Sequence, residues 1–199
     1  MPPYHTLDQL LGMIDQPNGT LCHNLLETNF DLFSKARGST HNHQAWEGGY
    51  LDHLTEIMNI AVLLYTPLHQ ARPLPFSLSD ALLVNYLHDV EKPWRIQKNK
   101  QGEYQSKPEL QDKEKQVWPF VQQKLQEYGF KLTPEQLNGI QYAEGEKSDY
   151  SSTTRVQTPL AAFVHMCDVW SARGWFNHPL PDNDPWRGAE RTLSRKNLL

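Results

Sequence analysis

Apolar residues along this 199-residue chain recur mostly at helical spacing. From Gly49 to about Tyr65, Tyr50, Leu54, Ile57, Met58, Ala61 and Leu64 return every three or four positions, which predicts a long helix. "LDQLLGMID" (7–15) predicts a short amphipathic helix stopped by a Pro17-Asn18-Gly19 turn. Residues 21–36, with Leu25, Phe30, Leu32 and Phe33, predict a second helix ended by Gly38. A polar loop, 37–48, and a proline-punctuated loop, 66–76, flank the long helix. Ser77 or Ser79 then caps "DALLVNYLHDV", with Asp80 suited to the first turn.

The pattern changes at "WRIQKNKQGEYQ" (94–105), where alternation around Gly102 predicts a small hairpin. Ser106 and Pro108 open a helix with Leu110, Val117, Val121 and Leu125 on one face, and Pro119 should kink or split it before Gly129. Thr133-Pro134-Glu135 starts a short helix reaching about Tyr142, and residues 144–155 are a polar loop. Thr158 and Pro159 open "LAAFVHMCDVWSAR". The expected fold class is therefore all-α, with one helical domain over 1–173. Residues 174–199 are read as a C-terminal extension, partly docked and partly mobile.

Composition narrows the function classes. Apolar content of 38% in a chain this long supports a real core. There is no run of about 18 apolar residues to span a bilayer, and the N-terminus lacks the basic-then-apolar order of a signal peptide. Cys22 and Cys167 stand far apart, which disfavours a disulfide framework or thiolate zinc site and fits a reducing, cytoplasmic location. A net charge of -4 tilts the partner toward a small molecule and away from extended nucleic acid, which basic proteins grip by its phosphates.

Against this background three polar residues sit on apolar stripes, and a fourth stands next to one of them. His53 shares one with Ile57, Ile60 and Leu64, His88 with Ala81 and Val84, and Asp168 with Ala161 and Val164. Asp89 follows His88 directly. Three helices thus point metal-capable groups inward, and a buried carboxylate is costly unless paired or bound to a cation. One divalent ion would satisfy all four, since neutral imidazoles and carboxylates are suitable ligands. A lone His on an apolar face is more often a satisfied core residue, so the convergence carries the argument.

His, then His-Asp, then Asp on successive helices resembles the HD-domain metal-dependent phosphohydrolases, over about residues 40–172. His53 matches the first ligand, His88 and Asp89 the His-Asp pair, and Asp168 the last. "HQAWEGGYLDHL" is similar to "HHAYxGGLLEHT" of the subgroup containing 3′–5′ exoribonucleases and some plasmid-transfer proteins, with His43 and Trp46 at its first His and aromatic. "HDVEKP" resembles "HDxGK", placing Lys92 at the lysine. Glu91 stands where the family usually has Gly, and nucleotidase members commonly carry Glu at the position of Lys92. No His lies between 88 and 165, so the extra imidazoles of two-metal members are missing and a single-metal centre is expected.

The resemblance implies an HD-type helical bundle holding one divalent metal (Mn, Fe, Co, Ni or Zn), with His53, His88, Asp89 and Asp168 as ligands. It implies hydrolysis of a phosphoester or phosphoanhydride of a nucleotide, as in nucleotidases or dNTP triphosphohydrolases. Asp89, Glu91 and Lys92 form the expected catalytic group. Lys92 and Arg95 would hold phosphate oxygens, Glu91 or Glu144 would orient or deprotonate water, and Trp46 beside His43 would stack a base. His165 is expected in a supporting or core role. Trp118, Phe120 and Tyr128 read as core. HD enzymes often pair, which suggests a homo-oligomer. Rival readings are a 3′–5′ exonuclease on short single strands and a non-catalytic module in which the metal is a staple.

Overall fold

A computed structural model describes residues 3–146 and 149–175. Its helices are α1 (Leu7–Leu11), α2 (Asn18–Thr28), α3 (Phe30–Phe33), α4 (Gly49–Ala71), α5 (Leu78–Leu87), α6 (Lys92–Arg95), α7 (Trp118–Glu127), α8 (Pro134–Gln141) and α9 (Pro159–Val169). One antiparallel pair, β1 (Ile96–Lys98) and β2 (Tyr104–Ser106), joins Ile96 to Ser106 and Lys98 to Tyr104. The all-α expectation and the small hairpin both hold, with Gly102 at positive φ in the turn. No helix among the described residues is long and apolar enough to cross a membrane.

Helix α4 forms the axis. Every residue from Asp52 to Ala61 is buried, because α1, α5 and α9 all pack on it. A helix covered on every side must satisfy its polar residues internally. Asn59 does so by accepting from the His5 backbone N–H at 2.7 Å and donating to the His5 carbonyl at 2.9 Å. Helices α8 and α9 form a second pair, which closes on α5. Gly139 of α8 permits that approach, since a Cβ there would meet Val84 Cγ1 at 2.8 Å.

Several boundaries differ from expectation for local reasons. α4 continues past Tyr65 and through Pro67, with Tyr65 stacked on His69 one turn ahead and its hydroxyl donating to the Phe76 carbonyl. α1 ends at Leu11, and α2 begins at Asn18, inside the turn expected to separate them. Asn29 divides α2 from α3 by turning its amide back to the Leu25 carbonyl (2.8 Å) and to the Tyr128 hydroxyl (2.6 Å). Ser77 is the cap of α5, in a reciprocal box with Asp80, while the Ser79 hydroxyl accepts from the Asp15 backbone N–H. The helix expected across 106–129 is split. A 3₁₀ turn (Pro108–Leu110) and a π turn (Lys113–Val117) precede α7, placing Pro119 in the first turn of α7, where its missing N–H costs little. The expected extension at 174–199 starts inside the π turn Trp170–Trp175, and the rest lies outside the described residues.

The glycine pair ahead of α4 fixes the loop that meets the site. Gly48 adopts φ 82°, and a Cβ on Gly49 would lie 1.9 Å from the Gln44 carbonyl oxygen. Gly49→Ala is expected to displace residues 43–46 and destabilise the protein by about 1–3 kcal/mol, the usual range for overpacking. Urea denaturation checks this, and an unchanged midpoint would show that the loop yields freely.

Candidate metal centre

The polar residues expected to converge do so. His53 comes from the first turns of α4, and His88 and Asp89 from the turn after α5. Asp168 comes from the last turn of α9. His53 Nε2 lies 3.1 Å from Asp168 Oδ1 and 3.6 Å from Asp89 Oδ2. His88 Nε2 lies 3.0 Å from Asp89 Oδ2 and 3.8 Å from Asp168 Oδ1. Ligand atoms about 2.1 Å from one cation stand about 3.0 Å apart at right angles and about 3.4 Å apart in a tetrahedron. The observed separations bracket those values.

Proton positions sharpen the case. His88 Nδ1 is 2.8 Å from the Asn85 carbonyl, which can only accept, so Nδ1 carries the proton. His53 Nδ1 is 3.1 Å from Ser171 Oγ. That hydroxyl already donates to Glu56 Oε1 at 2.6 Å and accepts from Gln44 Nε2 at 3.1 Å, so His53 Nδ1 is also a donor. In the neutral rings, both Nε2 lone pairs therefore face two carboxylates. Nε2 of each ring is buried and faces carboxylate oxygens of Asp89 and Asp168, and Asp89 Oδ2 also meets the Lys92 ammonium. Acceptors gathered in this way must share a proton or a metal ion between them. His53, His88 and Asp89 form a buried group able to hold a metal ion.

The charges agree. Burial holds the His53 pKa down despite Asp168 beside it, leaving a neutral imidazole suited to ligation. Burial opposes ionisation of Asp89 and Asp168 as well, but His88 and Lys92 hold Asp89 well below the usual carboxylate range, and His53 and His88 do the same for Asp168. For His88 burial is outweighed by Asp89, which pushes its pKa up to about 9. A metal ion must therefore displace the His88 proton, which makes its binding stronger as pH rises toward that value.

The remaining expected site residues divide into two groups. Lys92 is buried and its ammonium contacts Asp89 Oδ2, so it braces that carboxylate. Glu91 and Arg95 pair at 2.9 Å in the wall of a cavity of about 320 Å³ that opens beside His88 and Asp89. Glu144, paired with Lys113, lines the same cavity. Trp46 and His43 do not line it. The Trp46 indole donates to Asp52 Oδ2 at 2.9 Å, tying the loop to α4. His43 lies 5.1 Å ring to ring from His53, its pKa lowered to about 3 by burial, and with His53 and Asp168 it forms a second group able to hold a cation. His165 is half-buried, with Nδ1 on the Ala143 carbonyl at 2.7 Å. Phe120 and Tyr128 pack on the core from its half-buried edge, and Trp118 additionally lines the cavity.

Sequence reasoning missed the Gln44–Ser171–Glu56 network. Its signal was spacing: Glu56 lies one turn beyond His53, and Ser171 one turn beyond Asp168, within a π turn of the kind often found at sites. Removing the hydroxyl in Ser171→Ala strips the His53 ring of the acceptor that sets its tautomer. Metal affinity is expected to fall about 10–100-fold, read by competition with a chelator. Unchanged affinity would mean that the ring is oriented by packing alone.

No family model, curated protein or solved structure matches the chain at a significant level. What the centre does must be argued from its own chemistry.

Proposed function

We propose that the protein is an HD-type phosphohydrolase that uses one divalent cation to cleave a phosphate ester or anhydride of a small nucleotide. The observation that carries this reading is the facing of two imidazole lone pairs and two carboxylates beside an open cavity. A staple alone would need no such opening. When bound, a divalent cation supplies Lewis acidity toward phosphoryl oxygen and acidifies water in its shell. Either Mn, Fe, Co, Ni or Zn suits two imidazoles and two carboxylates.

The chain supplies the rest. Arg95 stands in the cavity wall with Glu91, a pair that can part when a phosphate offers the guanidinium a better fork. Glu91 is buried with a raised pKa, from burial first and Asp89 second, and is suited to holding a proton near the reacting centre. Lys92 keeps Asp89 ionised and in place.

A phosphate-release screen over nucleoside mono-, di- and triphosphates with Mn, Co and Zn tests the reading. Turnover that needs metal and disappears in Asp89→Ala supports it. Turnover surviving that change would remove the site from the chemistry, and metal binding without turnover on any nucleotide would leave the structural staple. A labelled oligonucleotide shortened from its 3′ end would point to the exonuclease.

A further inference from the structure

The cavity beside the metal centre carries a charge pattern that bears on which phosphate compound it accepts. Its inner end is formed by His88, Asp89, Glu91 and Arg95. His88 Nε2 and Asp89 Oδ2 are there, buried and 3.0 Å apart, so a cation held by them would present a phosphoryl group to this end of the cavity. Farther out, the described walls carry Glu114, Glu144, Glu146 and Asp149, with Lys113 the cation among them. Lys113 is already paired with Glu144. Glu146 accepts from the backbone N–H groups of Val156 (2.7 Å) and Gln157 (3.0 Å), which lower its pKa and keep it ionised. Asp149 accepts from the Tyr142 hydroxyl at 2.8 Å. Between the carboxylates lie the flat and apolar surfaces of Val117, Trp118 and Ile140.

Such a wall repels further phosphates and matches hydrogen-bond donors. From this, and resting on the phosphohydrolase reading above for the chemistry at the inner end, we propose that the cavity selects phosphomonoesters over polyphosphates. Its occupant carries one phosphate on an organic part with hydroxyl or amino donors and a flat face, the chemistry of a nucleoside monophosphate. A triphosphate held by its terminal phosphate would push its other two into the acidic zone. A volume of about 320 Å³ lies at the lower end of the range for ligand sites and fits the smaller compound better.

The test is calorimetric. A nucleoside monophosphate and the corresponding triphosphate, each with Mn²⁺ in excess, are titrated into the wild-type protein and into Glu114→Lys, with phosphate release followed in parallel. Circular dichroism checks that the exposed substitution leaves the fold unchanged. The wild-type protein is expected to bind the monophosphate on the order of tenfold more tightly, and the lysine variant to bring the two to near parity, as like charge becomes opposite charge. Equal or tighter triphosphate binding, binding of neither compound, or a ratio untouched by Glu114→Lys would overturn the proposal. Preferential binding with no phosphate released would uphold the selectivity and sink the hydrolase reading. Efficient triphosphate cleavage with tight triphosphate binding would do the reverse.

Discussion

Asp89→Ala is expected to abolish metal binding and to cost the metal-free protein about 3–5 kcal/mol, the usual result of removing one partner from a buried ion pair. The carboxylate does two jobs. Its Oδ2 faces both imidazole Nε2 atoms, at 3.6 Å from His53 and 3.0 Å from His88, and it also receives the Lys92 ammonium. Lys92 is only 5% exposed, so alanine at position 89 strands a positive charge away from water. For a chain of this size that loss lowers the melting temperature on the order of 10 °C. Asp89→Asn separates the two jobs, since its amide oxygen still faces Lys92 while its weak donor power serves a metal poorly. Calorimetric melting with and without Mn²⁺ reads both effects. The wild type should gain stability with metal by mass action, and neither variant should. A variant that melts like the wild type, or still responds to metal, would contradict this account of Asp89.

Glu56→Gln is expected to stabilise the protein by about 3 kcal/mol at pH 8 while changing little at pH 5. Burial, with Asp52 adding to it and the Ser171 hydrogen bond opposing, raises the Glu56 pKa from an ordinary 4.5 to about 7. The folded state therefore holds this proton more tightly than the unfolded chain. That stabilisation is complete below about pH 4.5 and is lost as pH rises through 7, where an ionised Glu56 weighs against folding. Glutamine never ionises, and its carbonyl can still accept from Ser171 and Gln44. The difference between the two proteins in urea-derived stability, measured from pH 5 to 8, isolates this residue from the His88 titration that both share. Parallel curves would mean that Glu56 stays ionised through the range.

The converging residues were legible because each sits where only an apolar residue or a satisfied polar one belongs. His53, His88 and Asp168 interrupt stripes that the structure indeed buries, and α5 and α9 begin at the caps their Ser and Thr residues announce. What escaped reading depends on contacts between distant segments. The network on His53 joins Gln44, Glu56 and Ser171 from three separate segments; helical spacing places Glu56 and Ser171 beside the centre, but only the fold brings Gln44 to them. The apolar spacing announced α4 as a helix, but not that α1, α5 and α9 bury Asp52, Glu56 and Asn59 along with its apolar residues. The cavity wall includes the π turn Lys113–Val117, a geometry that sequence periodicity does not announce. Trp46 reads as a base platform from the resemblance of its loop and from its flat face; the structure ties its indole N–H to Asp52 and leaves it out of the lining of the cavity.

Cobalt loading tests the central claim most directly. Protein dialysed against Co²⁺ and then metal-free buffer, assayed by elemental analysis and visible absorption, should retain about one equivalent per chain in the wild type and far less in His53→Ala, His88→Ala and Asp168→Ala. Retention of no cobalt by the wild type, or of the same amount by all four proteins, would contradict a cation held at the point where these side chains meet.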